Sequence, residues 1–301
     1  MRVVVQFSGG KDSHASLLWA IKKYGANKVT AVFCDTGWEH PITIEHIHMI
    51  CEKHGVELIT LRSKKYDGFV DMSVKKGRFP SSQRRFCTSE LKVIPMIDWI
   101  LDELKDNAIT IQGIRASESA ARAGMETECM FFKSYFEANK NGKKQSYRGA
   151  DVREFCKHYD VSVRRPVFHW SAQEVIDCIL DAGDEPNPLY KRGFSRVGCM
   201  PCVMCRMREI ALLMNDKAMA QRLIDAEQKM FTSSARGNCF FSCDTVPEYA
   251  RKHIDMKTGT KICTVQDVFD YVSGKNATLD MFDDNKSEGE SCMSMYHGLC
   301  E

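Results

Sequence analysis

The first 24 residues constrain the fold more than any other part of the sequence. Residues 2–7 read RVVVQF, residues 8–13 read SGGKDS, and leucine and isoleucine then recur at helical spacing up to Tyr24. A buried strand that enters a helix through a glycine turn is the opening unit of an α/β sheet. Glycines let backbone N–H groups approach an anion, and the helix adds its positive amino-terminal end. The segment 8–13 therefore predicts a phosphate site, or else a tight turn with Asp12 or Ser13 as N-cap.

The same alternation continues through the first half of the chain. We predict strands over 2–7, 29–34, 56–61 and 108–114, and helices over 12–24, 41–54 and 93–104. Further on, we predict a helix over 171–182, with Ser171 and Glu174 as a capping box, and one long amphipathic helix over 205–230. Alternating strands and helices predict a parallel sheet covered on both faces, with ligands at the carboxyl ends of the strands.

Composition excludes several other classes of protein. With 44% hydrophobic and 27% charged residues, the chain is not a disordered protein, and its net charge of +2 gives no general attraction to nucleic acid or membranes. Its apolar runs are far shorter than the roughly 20 residues that a membrane-spanning helix needs. The opening MRVVVQFSGG lacks the apolar stretch of a signal peptide, so we expect a cytoplasmic protein with no membrane partner.

The fourteen cysteines are unusual for such a chain. In a reducing compartment, clustered thiols more often indicate metal or redox chemistry than disulfides. Cys199, Cys202 and Cys205 form C-x2-C-x2-C, a spacing that lets two thiolates face one metal ion or cluster. The alternative is that they are small buried hydrophobic residues, which we predict for a separate group in apolar-periodic stretches. That group is Cys34, Cys51, Cys156 and Cys178.

Several short motifs, taken in order, resemble one superfamily. SGGKDS is similar to the pyrophosphate loop of the N-type ATP pyrophosphatases and of the phosphoadenosine phosphosulfate (PAPS) reductase family. The further matches are Asp35-Thr36-Gly37, Arg85-Phe86-Cys87-Thr88 with Leu91-Lys92, Gly113-Ile114-Arg115, Asn187-Pro188-Leu189-Tyr190, and Gly198-Cys199-Met200-Pro201-Cys202. The resemblance covers residues 1–205. We therefore expect a nucleotide-binding domain over 1–205 and a helical, cysteine-containing extension over 206–301.

The resemblance implies a three-layer α/β, adenine nucleotide alpha hydrolase-like fold and a set of site residues. ATP or a PAPS-like nucleotide, with Mg²⁺, is expected at the phosphate loop, with Lys11, Asp35 and Arg115 as the catalytic candidates. Glu118 and Arg122 follow Arg115 and are four residues apart, a spacing that also fits a plain ion pair on a helix surface. The expected nucleotide-binding residues are Ser8, Gly9, Gly10, Lys11, Asp12, Ser13, Asp35, Thr36, Gly113 and Arg115.

The resemblance also implies a metal centre, because the last motif is similar to that of the iron–sulfur sulfonucleotide reductases. Those reductases use a CC pair and a later CxxC, but here the pair is Phe86-Cys87, so one ligand must come from elsewhere. We predict Cys87, Cys199, Cys202 and Cys300 around a [4Fe–4S] cluster, or a zinc ion, with Cys292 or Cys205 as other sources of the fourth ligand. Cys300 is alternatively a nucleophile. Cys239 and Cys243 are expected to be incidental.

Two basic segments suggest an anionic partner. Residues 75–92 carry six basic side chains against Glu90, and residues 140–153 carry five more. Such local fields steer anions, although a charge run is also what a solvated face looks like. The complete SGGKDS loop, including Lys11, resembles the ATP-cleaving branch of the superfamily, which implies an adenylylating enzyme linked to sulfur transfer. Its expected partners are an anionic acceptor, such as nucleic acid, and a thioredoxin-like or sulfur-donor protein. The alternatives are a PAPS or adenylylsulfate reductase that produces sulfite, and a non-catalytic nucleotide- or nucleic-acid-binding module.

Overall fold

A computed structural model describes residues 1–139, 142–233, 238–255 and 259–280. A six-stranded sheet with the order β3-β2-β1-β4-β6-β5 lies at its centre, parallel except for β5 at one edge. Its strands are β1 (Arg2–Gln6), β2 (Val29–Cys34), β3 (Glu57–Leu61), β4 (Ala108–Gln112), β5 (Glu128–Met130) and β6 (Val161–Arg164), and a small antiparallel pair is formed by β7 (His253–Ile254) and β8 (Lys261–Ile262).

The helices lie between and after these strands. They are α1 (Lys11–Tyr24), α2 (Pro41–Lys53), α3 (Phe69–Lys76), α4 (Phe86–Thr88), α5 (Ile94–Trp99), α6 (Ala120–Ala123), α7 (Lys133–Phe136), α8 (Gly149–Phe155), α9 (Ala172–Asp181), α10 (Met207–Asn215), α11 (Lys217–Ser233) and α12 (Val265–Asp280). The segments Ser89–Val93 and Ile100–Leu104 are π-helical, so the predicted helix over 93–104 is part of a longer helical run over 86–104. The capping box of Ser171 and Glu174 is confirmed.

Both faces of the central strand are buried, which explains its continuous apolar sequence. Val3 and Val5 pack with Leu17 and Ile47 of the helices on one face. Val4 packs on the other face, in the cluster that contains Ile97. Buried faces on both sides make the strand run apolar rather than alternating. The predicted three-layer α/β, adenine nucleotide alpha hydrolase-like fold is therefore confirmed, and the order of the sheet reverses at β1, where such folds bind ligands.

The predicted single helix over 205–230 is wrong. The chain forms α10 and α11 instead, separated at Asp216, whose backbone is extended (φ −96°, ψ 90°). The Asp216 carboxylate accepts a hydrogen bond from the Met219 amide at 3.1 Å and so caps the second helix. An aspartate that competes for nearby amides favours a helix start over a helix interior.

One large hydrophobic cluster joins the carboxyl-terminal helices to the rest of the chain. Trp38 and Phe69, which precede residue 205, share this cluster with Leu213, Leu223 and Val268. The division at residue 205 stays a prediction. Of the cysteines predicted to be buried, Cys51 is buried, whereas the other three, Cys34, Cys156 and Cys178, are half-buried. In the described ranges no helix combines the length and apolar character that crossing a membrane requires.

Candidate functional site

The loop between β1 and α1 has a shape that only glycine permits at one position. Gly9 has φ +75°, and a Cβ atom there would lie 2.9 Å from Cγ2 of Thr43. Because side chains rarely adopt this conformation, glycine is required for both the backbone angle and the space. Gly10 is the N-cap of α1 and provides no capping side chain.

Most amides of this loop make no hydrogen bond within the described part of the chain. The Ser8 amide donates to Ser13 Oγ at 3.3 Å, and the Lys11 amide donates to the Tyr190 hydroxyl at 3.0 Å. The amides that remain open are those of Gly9, Gly10, Asp12 and Ser13. Open amides at the positive end of a helix form a site for an anion such as a phosphate group. The sequence prediction thus placed the anion site where the backbone supplies donors.

The Asn187–Tyr190 motif holds this loop from the opposite side. The Asn187 side-chain amide donates to the Gly9 carbonyl and to Thr43 Oγ1, both at 3.2 Å. Thr43 in turn donates to the Val197 carbonyl at 2.7 Å. Tyr190 is buried, and burial raises the pKa of its hydroxyl, so the group stays protonated. These contacts fix the loop before any ligand binds.

Arg115 lies behind the loop rather than in open solvent. Its side chain is only 3% exposed, and its Nε donates to Asp12 Oδ1 at 2.5 Å. Its Nη1 donates to Ser117 Oγ at 3.0 Å. Burial raises the pKa of Asp12, and the Arg115 charge opposes that rise. The structure thus gives Arg115 an intramolecular partner, and its predicted role as an oxyanion clamp stays a prediction. Glu118 and Arg122 form the expected ion pair.

Lys11 and Asp35 occupy different surroundings. Lys11 is buried, with Nζ 5.7 Å from the centre of the Tyr190 ring. Asp35 accepts from the Gly37 amide at 2.8 Å and from Arg62 Nε at 2.8 Å. These are the contacts of a turn residue, and they engage both carboxylate oxygens. The roles of Lys11 and Asp35 in catalysis stay predictions.

A cleft of about 880 Å³ opens beside the loop at the carboxyl ends of the central strands. Ser8, Ser13 and Gly113 line it near the phosphate loop, and Glu39 and Lys92 also line it. Its walls include apolar side chains from β2, from α5 and from the turn after β5, among them Phe33, Met96 and Phe131. Ligand sites of this kind combine apolar walls with a few placed polar groups. The cleft has room for a nucleotide and a second reactant.

Glu39 and Lys92 form a polar group with Cys199. Glu39 is buried and accepts from Thr36 Oγ1 at 2.7 Å, and the Cys199 thiol lies 3.7 Å from both Thr36 Oγ1 and Glu39 Oε1. Electrostatic interaction with Cys199, and then with Glu39, raises the pKa of Lys92. A β-bridge between Glu39 and Cys199 joins the two loops. Lys92 belongs to one of the sequence motifs and Glu39 follows another by two residues, but neither was predicted to lie in the site.

The cysteines near this group are Cys87, Cys199, Cys202 and Cys205. Within the part of the chain that the structure describes, they are not arranged as a metal site. Cys202 interacts electrostatically with Cys87, Cys199 and Cys205, and burial raises the pKa of each of these three thiols. Nevertheless, across the described ranges no three Cys, His, Asp or Glu side chains are arranged to hold a metal ion. Cys199 is instead hydrogen-bonded to protein side chains. The described cysteines alone do not complete the predicted site, and because the predicted ligand Cys300, with Cys292, lies outside the described residues, the metal centre stays a prediction.

The basic segments are partly neutralised. Lys75 pairs with Asp71 and Lys76 with Glu90, while Arg148 binds three aspartates. By contrast, Arg78, Arg84 and Arg85 make no ion pair with the described residues. Lys140 lies outside the described residues. Within residues 75–92, positive charge without an ion pair to the described residues thus remains at these three arginines.

Comparison with known proteins adds the family. A family model described as "Phosphoadenosine phosphosulfate reductase domain" matches residues 2–205. The chain is similar to an uncharacterized 37.8 kDa protein of Escherichia phage 186, with 30% identity over an alignment of 351 positions that covers 99% of this chain and 96% of that protein. It is also 24% identical over 174 residues to an adenosine 5'-phosphosulfate reductase of Rhodococcus erythropolis, covering 58% of each.

Among solved structures, a phosphoadenylyl-sulfate (PAPS) reductase from Candida auris, in a phosphate complex, matches with a TM-score of 0.44 and 16% identity over 67% of this chain and 83% of that chain. The family model covers the six-stranded sheet, the phosphate loop and all three cysteines of the C-x2-C-x2-C run. The chain belongs to the phosphoadenosine phosphosulfate reductase domain family.

Proposed function

We propose that this protein is an enzyme that binds ATP at the 8–13 loop and cleaves it between the α- and β-phosphates in a reaction linked to sulfur transfer. The observation that carries the proposal is the set of open amides at Gly9, Gly10, Asp12 and Ser13. They lie at the start of α1, beside a cleft large enough for a nucleotide. A loop of this kind suits a pyrophosphate group, because several N–H donors meet several phosphate oxygens at once.

The proposed step is adenylyl transfer. An acceptor oxygen attacks the α-phosphorus, the bond from that phosphorus to the bridging oxygen breaks, and pyrophosphate leaves with the electron pair. The loop amides hold the leaving pyrophosphate, and Lys11 adds positive charge next to them. Bound Mg²⁺ would neutralise phosphate charge. Since no described trio of acidic residues is arranged for a metal, phosphate oxygens and water would be its main ligands.

The acceptor side of the cleft supports the link to sulfur. Lys92, Glu39 and the Cys199 loop reach the cleft next to the strand ends where the α-phosphate would lie. We propose an anionic acceptor, which Lys92 and the unpaired Arg84 and Arg85 would attract. A sulfur-donor or thioredoxin-like protein is the proposed partner, and fourteen thiols suit a reducing compartment, so we propose the cytoplasm.

A second candidate is sulfonucleotide reduction, favoured by the similarity to an adenosine 5'-phosphosulfate reductase. In that reaction two electrons from a dithiol would reduce the bound sulfonucleotide, releasing sulfite and the nucleotide. The predicted nucleophile for this chemistry, Cys300, lies outside the described residues. The same loop would then bind the nucleotide phosphates.

One set of incubations separates the candidates. Formation of AMP and pyrophosphate from ATP and Mg²⁺ supports the first, and sulfite from PAPS or adenylylsulfate with thioredoxin supports the second. Nucleotide binding without turnover of either substrate identifies a non-catalytic module. Lys11→Ala and Ser13→Ala should weaken ATP binding, whereas Lys22→Ala, at the far end of α1, serves as the control. Unchanged affinity in both loop variants would contradict the placement of the phosphates.

A further inference from the structure

The extension beyond residue 205 contacts the loop over 35–39, which follows β2 and borders the cleft. Arg222 of α11 donates from Nη1 to the Glu39 carbonyl at 2.9 Å and from Nη2 to the Gly37 carbonyl. The same guanidinium lies 4.4 Å from the centre of the Trp38 ring. One side chain from outside the matched family domain thus binds three consecutive residues of this loop.

The loop depends on such contacts because its own residues form no regular structure. Trp38 is 1% exposed and stacks on Phe69, with ring centroids 5.0 Å apart. Its indole N–H donates to the Pro201 carbonyl at 2.9 Å. The Glu39 carboxylate accepts from the Thr36 and Trp38 amides, at 3.1 and 3.2 Å. Residues 1–205 thus bind the side chains of Trp38 and Glu39, and Arg222 adds contacts to the Trp38 ring and to the carbonyls of Gly37 and Glu39.

A second contact reinforces the first. His40 Nε2 lies 3.2 Å from Asp216 Oδ2, at the break between α10 and α11. Asp216 also caps α11 through the Met219 amide. The helix that carries Arg222 thus begins at a residue that is itself bound to the loop, which fixes the position of Arg222 relative to Gly37 and Glu39.

We propose that Arg222 is a positioning residue of the nucleotide site and that the extension is a working part of that site. By holding the two carbonyls, Arg222 sets the position of Thr36 and Glu39, and through Glu39 that of the Cys199 loop beside Lys92. The effect on ligand binding rests on the proposed function. The effect on the loop itself does not.

The test compares Arg222→Ala and Arg222→Lys with Lys229→Ala, which removes an exposed cation from the same helix. The readouts are hydrogen exchange of the amides in 36–40 and calorimetric titration with ATP and Mg²⁺. Losing charge-assisted bonds should speed exchange and weaken ATP binding in Arg222→Ala by roughly tenfold or more. Arg222→Lys should lie between Arg222→Ala and the wild type, since it retains the charge but not the planar fork, and Lys229→Ala should match the wild type.

The outcomes separate this inference from the proposed function. Wild-type exchange rates in Arg222→Ala would overturn the inference whatever the ligand. Faster exchange in Arg222→Ala with unchanged ATP affinity would also overturn it, because Arg222 would then hold the loop without affecting the nucleotide site. Failure of the wild type to bind ATP would count against the proposed function alone, and the exchange data would still decide whether Arg222 holds the loop. If Arg222→Ala does not fold, Arg222→Lys supplies the comparison.

Discussion

Replacing Gly113 by alanine should disrupt the phosphate loop through a clash with the backbone of α1. Gly113 follows β4 and lies directly against the first turn of α1. A Cβ atom at this position would lie 2.5 Å from both the Asp12 carbonyl carbon and the Ser13 nitrogen, and 2.6 Å from the Asp12 oxygen. Non-bonded heavy atoms prefer about 3.5–4.0 Å, so the two backbone segments must separate by roughly 1 Å. No flexible side chain is available to absorb that shift.

The size of the effect follows from which atoms must move. Overpacking of this kind costs about 1–3 kcal/mol of folding stability. The displaced peptide, between Asp12 and Ser13, carries one of the four open amides, that of Ser13, and the open Asp12 amide belongs to the adjoining peptide. A hydrogen bond to a charged partner contributes about 1.5–3 kcal/mol, so misplacing one amide should weaken ATP binding by about 10- to 100-fold.

The measurement is calorimetric titration of Gly113→Ala with ATP and Mg²⁺, with urea unfolding of the same sample. Gly124→Ala is the matched control, because its φ of −83° suits alanine and the nearest atom to its Cβ lies at 3.9 Å. Gly124→Ala should bind ATP as the wild type does. Wild-type affinity in Gly113→Ala would refute the assignment of the Asp12 and Ser13 amides to the ligand.

Three further predictions concern other parts of the molecule. Tyr190→Phe leaves the buried Lys11 amide without its acceptor and should cost about 1–3 kcal/mol in urea unfolding, and an unchanged midpoint would contradict this. Neither ring nitrogen of the buried His46 has a hydrogen-bond partner among the described residues, and burial lowers the pKa of the ring to about 4, so the unfolded chain binds the proton first. Stability should then fall as the pH drops from 6.5, by up to ~1.4 kcal/mol per pH unit, and His46→Phe should show a shallower fall between pH 7 and 5; equal slopes would argue against it. If the chain purified without oxygen carries iron with labile sulfide, or zinc, Cys202→Ser should lose it; a metal-free wild type would end the cluster prediction.

The strands were predictable because their signal is local. Buried parallel strands are largely apolar runs, as in 2–7, 29–34 and 108–114, whereas 56–61 contains the edge strand β3, whose residues are half-buried or exposed but still include branched apolar side chains. The observed strands β1 to β4 lie within one or two residues of these ranges. β5 and β6 were missed because they have only three and four residues, too few for a periodic pattern. The order of the strands in the sheet depends on long-range pairing, which no local pattern contains.

The phosphate loop was predictable for the same reason, and its supports were not. The strand, the glycines and the helix start lie within a few residues, so their geometry follows from the local sequence. Asn187 and Tyr190 bind the loop from about 180 residues away, and Arg115 meets Asp12 across 103 residues. Asn187 and Tyr190 were noticed only as a motif. The role of Arg115 as an oxyanion clamp stays a prediction, and its contact with Asp12 was not expected from the sequence.

The error over residues 205–230 and the missed role of Arg222 have one physical origin. Amphipathic periodicity reports which face of a segment is buried, and α10 and α11 bury faces in the same hydrophobic cluster, so their patterns join without a visible gap. What separates them is Asp216, which caps the second helix and contacts His40. Both contacts are polar, and neither changes the apolar pattern. An arginine on the half-buried side of such a helix likewise fits the pattern of a solvated face, although its stem and guanidinium cover an indole ring. The hydrophobic pattern therefore predicts that the extension packs on the rest of the chain. Its position relative to the site depends on polar contacts between distant segments, which the pattern does not contain.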